Sequence, residues 1–113
     1  MTKTEKKIER RLIKALTKAC EIIKGEIAGF EWLTHFVNMK NFPKGLSIVC
    51  IFDTNDNLQQ AWDSNQDEYM FHIIKSQLLE IEVIINDMAK IVSFDTEENC
   101  SNENNGKWND RLK

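Results

Sequence analysis

The sequence has few of the residues that cross-link a chain or interrupt it. Its 113 residues include three cysteines, one proline and four glycines. Cys20, Cys50 and Cys100 are odd in number and far apart, which argues against a disulfide framework and a CxxC metal or redox motif. Free cysteines favour a reducing compartment. With 42% hydrophobic residues and so few breakers, a chain disordered throughout is excluded.

Long hydrophobic runs and the common catalytic motifs are also missing. No run approaches the length that crosses a bilayer, and the chain is charged from Lys3 onward, where a signal peptide would be apolar. We therefore expect a cytoplasmic protein without a membrane partner. GxGxxG, GxxxxGK(S/T), GxSxG and HExxH do not occur, which removes the motif-based case for nucleotide binding and for the commonest hydrolases. These absences favour a protein without a cofactor and without catalysis.

Apolar residues at intervals of three and four predict a long amphipathic first helix. Thr2 and Glu5 have the spacing of a capping box, and Gly29 is placed to end the helix. We predict this helix from about residue 2 to residue 28. Its apolar stripe consists of Ile8, Leu12, Ala15, Leu16, Ala19, Cys20, Ile23 and Ile27.

The remaining elements follow from shorter patterns. β-Branched and aromatic runs predict strands. The helical pattern between them is either one helix or two pieces that are separated at residues 63–65. For residues 82–85 a helix end and a short strand stay open. After Asp95 the chain is polar and asparagine-rich apart from Trp108 and Leu112. The predicted strands are 30–37, 46–52 and 90–94, with a turn at 38–45 and helix at about 58–81.

This order predicts the fold class α/β (α+β), a small three-stranded sheet with helices in the order α-β-β-α(α)-β. The length fits one domain, which we place at residues 1–98. Residues 99–113 are a polar C-terminal tail, either weakly ordered or a short helix that packs by its tryptophan. Since Ile48, Val49, Cys50 and Ile51 are all apolar, the second strand is expected to be central, with both faces covered.

Charge is segregated along the chain. Residues 1–24 contain eight lysines or arginines and three glutamates, whereas residues 25–113 contain seven basic and fifteen acidic residues. At 100° per residue, six of the basic residues lie within about 100° of one another, nearly opposite the apolar stripe. We name them the basic face: Lys3, Lys7, Arg10, Arg11, Lys14 and Lys18.

Two interpretations of the basic face stay open. An amphipathic helix must turn polar residues to water, and lysine and arginine are good helix formers, so a solvated face is the ordinary explanation. An ordinary solvated face would interleave glutamates for i,i+4 pairs, however, and Glu21 enters only at the far end. The pattern therefore also indicates binding to the phosphates of a nucleic acid or to another acidic partner.

A Phe-Asp-Thr triplet occurs twice, each time where a predicted strand ends. If the two strands are neighbours, Asp53 and Asp95 can converge with Glu97 or Glu98, as carboxylates do around Mg²⁺ in phosphodiester cleavage. The ordinary alternative is that Asp and Thr cap the following helices, which is the interpretation we favour. No (D/E)xK follows Asp53, so the commonest nuclease constellation lacks its lysine.

The two histidines do not suggest a metal site. His72 lies on the polar side of its predicted helix and is expected to face solvent. His35, among aromatic residues of the first strand, is expected to be a structural histidine with a hydrogen-bond partner. Neither has a partner at ligand spacing, so we assign no metal.

Several segments carry a resemblance to known proteins. TEKKIERRLIKALTKAC, GFEWLTHFV, FPKGLSIVCIFDT and FDTEENC together resemble a family of short uncharacterised bacterial proteins without established function. The element order is also similar to that of KH-type RNA-binding domains. Their GxxG loop, which clamps the RNA backbone, is replaced here by Trp62-Asp63-Ser64-Asn65-Gln66, so the usual KH site is not carried over.

The sequence thus predicts a non-catalytic binding protein whose basic face meets RNA or DNA. The alternative is a protein-protein or homodimeric interaction module, for which the three tryptophans and the segregated charge would provide anchors and steering. A metal-dependent phosphodiesterase at Asp53 and Asp95 is a distant third.

Overall fold

A computed structural model describes residues 2–112 and has the predicted α+β class. Met1, the first residue of the predicted domain, and Lys113, the last residue of the predicted tail, lie outside this range. Between residues 2 and 112, three strands, six helices and one 3₁₀ turn follow one another. They are α1 (Lys3–Glu26), β1 (Phe30–Val37), the 3₁₀ turn (Met39–Asn41), β2 (Leu46–Phe52), α2 (Asn55–Asp63), α3 (Gln66–Glu80), α4 (Met88–Ile91), β3 (Val92–Thr96), α5 (Glu97–Asn104) and α6 (Trp108–Arg111).

The three strands form one mixed sheet in the order β1-β2-β3. β1 pairs antiparallel with β2, and β3 pairs parallel with β2, so the prediction that β2 is central is confirmed. Leu33 faces Cys50 in the first pair, and Cys50 faces Phe94 in the second. Because paired residues point to the same side of a sheet, these three side chains share one face, which we call the helix face.

The hydrophobic core lies between the helix face and helices α1 and α3. Leu12, Leu16 and Ile23 of α1 are buried in one cluster with Ile48 and Cys50 of β2. The predicted apolar stripe of α1 is therefore the side of the helix that packs into the core. Helix α3 packs beside α1 and contributes Met70, Ile74 and Leu78 to the same core.

The opposite face of the sheet is covered only in part, which corrects the expectation that β2 is covered on both sides. Ser47 is exposed and Val49 half-buried, whereas Ile51 is buried. Near Ile51, the α6 tryptophan Trp108 packs edge-on against Trp32, with ring centroids 5.1 Å apart. We call this side of the sheet the open face.

Helix α1 ends at Glu26, two residues before the predicted boundary. Gly29 then takes a left-handed φ of 87°, and a Cβ at this position would lie 2.6 Å from Cβ of Asn57. A side chain would therefore collide with α2. The C-cap of α1 is Ile27, so Gly29 does not itself end the helix as predicted but forms the turn that leads into β1. Its backbone oxygen accepts a hydrogen bond from the Asp53 N–H.

The second half of the chain refines the predicted boundaries. The helical pattern forms two helices, α2 and α3, with Asn65 between them in the left-handed region. Residues 82–85 are neither helix nor strand, because Glu82 has a φ of 63° and the Val83 N–H caps α3 at the Leu78 oxygen. β3 begins two residues later than predicted, since Met88–Ile91 forms a single helical turn.

The C-terminal segment after β3 is folded into two short helices, α5 and α6. Cys100 of α5 is fully buried, and Trp108 of α6 is half-buried. Between residues 99 and 112 the chain thus contains most of α5 and all of α6. Within residues 2–112, no helix combines the length and the apolar character needed to cross a membrane.

Candidate functional site

All six residues of the basic face lie on α1, and all six are exposed. Since α1 is one uninterrupted helix, its rise of about 1.5 Å per residue separates Lys3 from Lys18 by about 22 Å. Lys3, Lys7, Arg10 and Lys14 are spaced by four, three and four residues and therefore line up within about 60° of one another. We call these four residues the central row.

The N-terminus of α1 is fixed by the predicted capping box. The Thr2 hydroxyl accepts a hydrogen bond from the Glu5 N–H at 3.1 Å, and Glu5 accepts one from the Thr2 N–H at 2.9 Å. These backbone and side-chain hydrogen bonds hold the pKa of Glu5 below its usual value. The first turn, which carries Lys3, is therefore ordered as helix.

On the α3 side, the basic face meets acidic residues. Lys18 Nζ lies 3.7 Å from Glu80 Oε2, and both side chains are about 60% exposed. Arg11 lines a cavity of about 190 Å³ together with Glu82 and Phe42. Lys18 is thus partly engaged by the protein itself, and Arg11 faces the same cavity as an acidic residue; i,i+4 spacing within α1 reveals neither arrangement.

On the β1 side, the basic face borders an apolar groove of about 290 Å³ between α1 and β1. Ile13, Cys20 and Leu33 line the groove, and Ile13 is 47% exposed. His35 in the groove is hydrogen-bonded through Nε2 to Glu9 Oε1 at 2.8 Å. The expectation of a partnered structural histidine is confirmed. The bond also turns the Glu9 carboxylate into the interface with β1, away from the central row.

The repeated Phe-Asp-Thr triplets form two helix caps at neighbouring strand ends. Thr54 accepts a hydrogen bond from the Asn57 N–H, and Thr96 accepts one from the Asn99 N–H. Asp53 and Asp95 each accept a bond from the N–H of the following threonine. The capping interpretation is therefore confirmed.

The two caps are also bonded to each other through Asn55. The Thr96 hydroxyl donates to Asn55 Oδ1 at 2.7 Å, and Asn55 Nδ2 donates to Asn99 Oδ1 at 2.8 Å. Across the range 2–112, no group of three or more His, Cys, Asp or Glu side chains has a geometry that can hold a metal ion. The triplets therefore cap the N-terminal ends of α2 and α5.

Asp95 has a partner that the sequence did not indicate. Arg111 of α6 donates to both its oxygens, from Nε to Oδ2 at 2.5 Å and from a terminal nitrogen to Oδ1 at 3.0 Å. Partial burial raises the pKa of Asp95, but the hydrogen bonds from Arg111 and from the Thr96 N–H outweigh it and hold the pKa below its usual value. The pair fastens α6 to the end of β3.

A second contact of the C-terminal segment was also missed. The indole N–H groups of Trp32 and Trp108 both donate to the Glu97 carboxylate, at 2.6 Å and 3.1 Å. The positions of Trp32 and Trp108 in the sequence do not predict this contact. The contact forms only because α6 packs on the open face of the sheet.

The remaining candidates for a chemical role are the three cysteines and His72. Cys20, Cys50 and Cys100 are free thiols. Burial raises the pKa of Cys50 to about 12 and also raises the pKa of Cys100, so both are protonated at neutral pH. His72 is exposed, as predicted.

Comparison of the chain with protein-family models, curated proteins and solved structures finds no match. The likeness to KH domains is therefore one of element order alone.

Proposed function

We propose that the protein is a non-catalytic, cytoplasmic binding protein that holds a nucleic acid by its phosphates along α1. The central row carries this proposal. Its four cations lie in one line over about 16 Å of helix, all exposed. Of the six basic-face residues, Lys18 alone is in an ion pair within residues 2–112. A cationic line without interleaved carboxylates suits a polyanion.

The rest of the chain limits how tightly such a ligand can bind. Residues 1–24 have eight basic and three acidic groups, and residues 25–113 have seven basic and fifteen acidic groups. The acidic remainder repels phosphates that come within a Debye length, about 10 Å at 0.1 M salt. We therefore expect modest affinity with a strong dependence on salt. The three free cysteines agree with a reducing compartment.

The test is fluorescence anisotropy with labelled RNA and DNA over a range of salt concentrations. If about three or four phosphates are neutralised on duplex DNA, log affinity should fall with log salt at a slope near −3. The variant Lys7→Gln/Arg10→Gln/Lys14→Gln should weaken binding strongly and flatten this slope, because it removes three of the four cations in the row.

A matched control keeps the same change in total charge. Lys75, Lys90 and Lys107 are exposed and lie outside α1. Lys75→Gln/Lys90→Gln/Lys107→Gln should leave the slope almost unchanged. Absence of binding at low salt would contradict the proposal, as would equal losses in the two triple variants.

A second candidate function is self-association through β1. This strand is an edge of the sheet, runs for eight residues and contains a single Asp, Glu, Lys or Arg, which is Glu31. An apolar edge strand is a template for pairing, and pairing with a second copy is antiparallel about a two-fold axis. Phe36 on the open face of β1 is 45% exposed and would be covered in such a dimer.

Sedimentation equilibrium over a wide range of protein concentration tests this candidate. The expected result is a mass that rises toward twice that of the chain. Thr34→Lys, in the middle of β1, should shift the equilibrium back to monomer, since charged side chains oppose edge pairing. A monomer at every concentration would rule the candidate out.

A further inference from the structure

Resting on the proposed function, we infer that the ligand is a duplex held by its backbone without reading of its base sequence. Bound this way, the duplex lies over the central row and leans toward β1, away from α3. Three features of α1 and its neighbours favour this ligand and this placement.

The first feature is the absence of stacking groups from the helix. α1 contains no Phe, Tyr, Trp or His. The exposed aromatic residues Phe36, Trp62 and Tyr69 belong to β1, α2 and α3. Proteins that bind single strands combine a positive groove with aromatic rings on which the bases stack. The central row offers charge alone, which favours the ligand with the denser charge, a duplex with one phosphate per 1.7 Å of axis.

The second feature is the chemistry of the row itself. α1 contains neither Asn nor Gln, the side chains that pair with adenine edges in the major groove. Three of the four residues in the row are lysines, which act on phosphates as point charges. Contacts to phosphates position a protein on a duplex and carry no direct sequence information. We therefore expect similar affinity for duplexes of unrelated sequence.

The third feature is the difference between the two flanks of the row. On the α3 side Glu80 contacts Lys18, and Glu82 shares a cavity with Arg11. On the β1 side Ile13 and Thr17 line the groove, Glu21 lines it only beyond Lys18, and Glu9 is turned toward His35. A polyanion is repelled from the first flank, and on the second it meets neutral groups beside Lys14 but the Glu21 carboxylate beyond Lys18. It therefore covers Lys3 to Lys14 and leaves Lys18 at the margin.

Anisotropy titrations with short labelled oligonucleotides of equal length test the inference. Two duplexes of unrelated sequence are compared with their separated strands. We expect the two duplexes to bind alike and more tightly than either strand, with four contacts giving salt slopes near −3.6 for duplex and −2.8 for single strand. Tighter binding of the strands, or a tenfold difference between the duplexes, would overturn the inference and leave the proposed function standing. Failure of every oligonucleotide to bind would contradict the proposed function itself.

The placement is tested by removing the acid on the α3 flank. Glu80→Gln should release Lys18 to the ligand, tighten duplex binding by up to about fivefold and steepen the slope by about one. Glu68→Gln is the matched control, since Glu68 is exposed on the same helix, twelve residues before Glu80. Equal effects of the two substitutions would overturn the placement toward β1.

Discussion

Asp53 and Asp95 occupy the same position in the two Phe-Asp-Thr triplets, but their surroundings differ. Asp53 accepts hydrogen bonds from the Thr54 N–H and from the Asn57 side chain, and is thus confined to its own turn. Asp95 also holds Arg111, sixteen residues away. The first aspartate orders one helix start, and the second also joins α6 to the sheet.

The two aspartates should therefore differ in their effect on stability. Asp53→Asn should cost about 1 kcal/mol as a weakened cap. Asp95→Asn should cost about 1 to 3 kcal/mol, because it also removes one of the two carboxylates that pair with the Arg111 guanidinium, the other being the exposed Glu103. Urea denaturation of both variants at neutral pH measures the difference. Equal losses would show that the pair with Arg111 contributes little.

The same contact sets a pH dependence. Since the pKa of Asp95 is lower in the folded chain than in the unfolded one, its stabilisation is complete above the unfolded pKa of about 3.9 and is lost as pH falls through the folded value. The cost of Asp95→Asn should accordingly shrink below about pH 4. A cost that stays constant with pH would contradict the assignment of this shift to Arg111.

Among the elements, α1 was the most predictable and β3 the least. The capping box and the apolar stripe both reappear in the structure, because each depends on residues within one helix or at its ends. The start of β3 depends on whether Met88–Ile91 forms a helical turn, and a run of four apolar and polar residues does not decide this.

The docking of α1 gives the element-scale prediction. Leu16 is 2% exposed within the core, so Leu16→Ala should cost about 2 to 5 kcal/mol in unfolding free energy. Ile13 is on the same helix but 47% exposed, so Ile13→Ala should change it by only about 0.5 kcal/mol. Urea denaturation midpoints give both values. Equal midpoints would mean that α1 is not packed as described.

For the whole molecule, local patterns predicted the class, the central strand and the basic face. They did not predict the contacts that join distant segments. The bonds of Glu97 to Trp32 and Trp108, and the contact of Lys18 with Glu80, link residues that are neighbours only after the chain has folded. The partial covering of β2 was missed for the same reason, since an apolar run does not say which element covers it.

The placement of the tryptophans has an optical consequence. Trp32 and Trp108 form one edge-to-face pair on the open face, and Trp62 of α2 packs edge-on against Phe94. None of the three belongs to α1. Their fluorescence therefore reports on the C-terminal segment and on the packing of α2. It is largely insensitive to a ligand on the central row. Detachment of α6 and occupation of α1 can consequently be followed as two separate signals in one sample, the first by intrinsic emission and the second by a dye on the oligonucleotide.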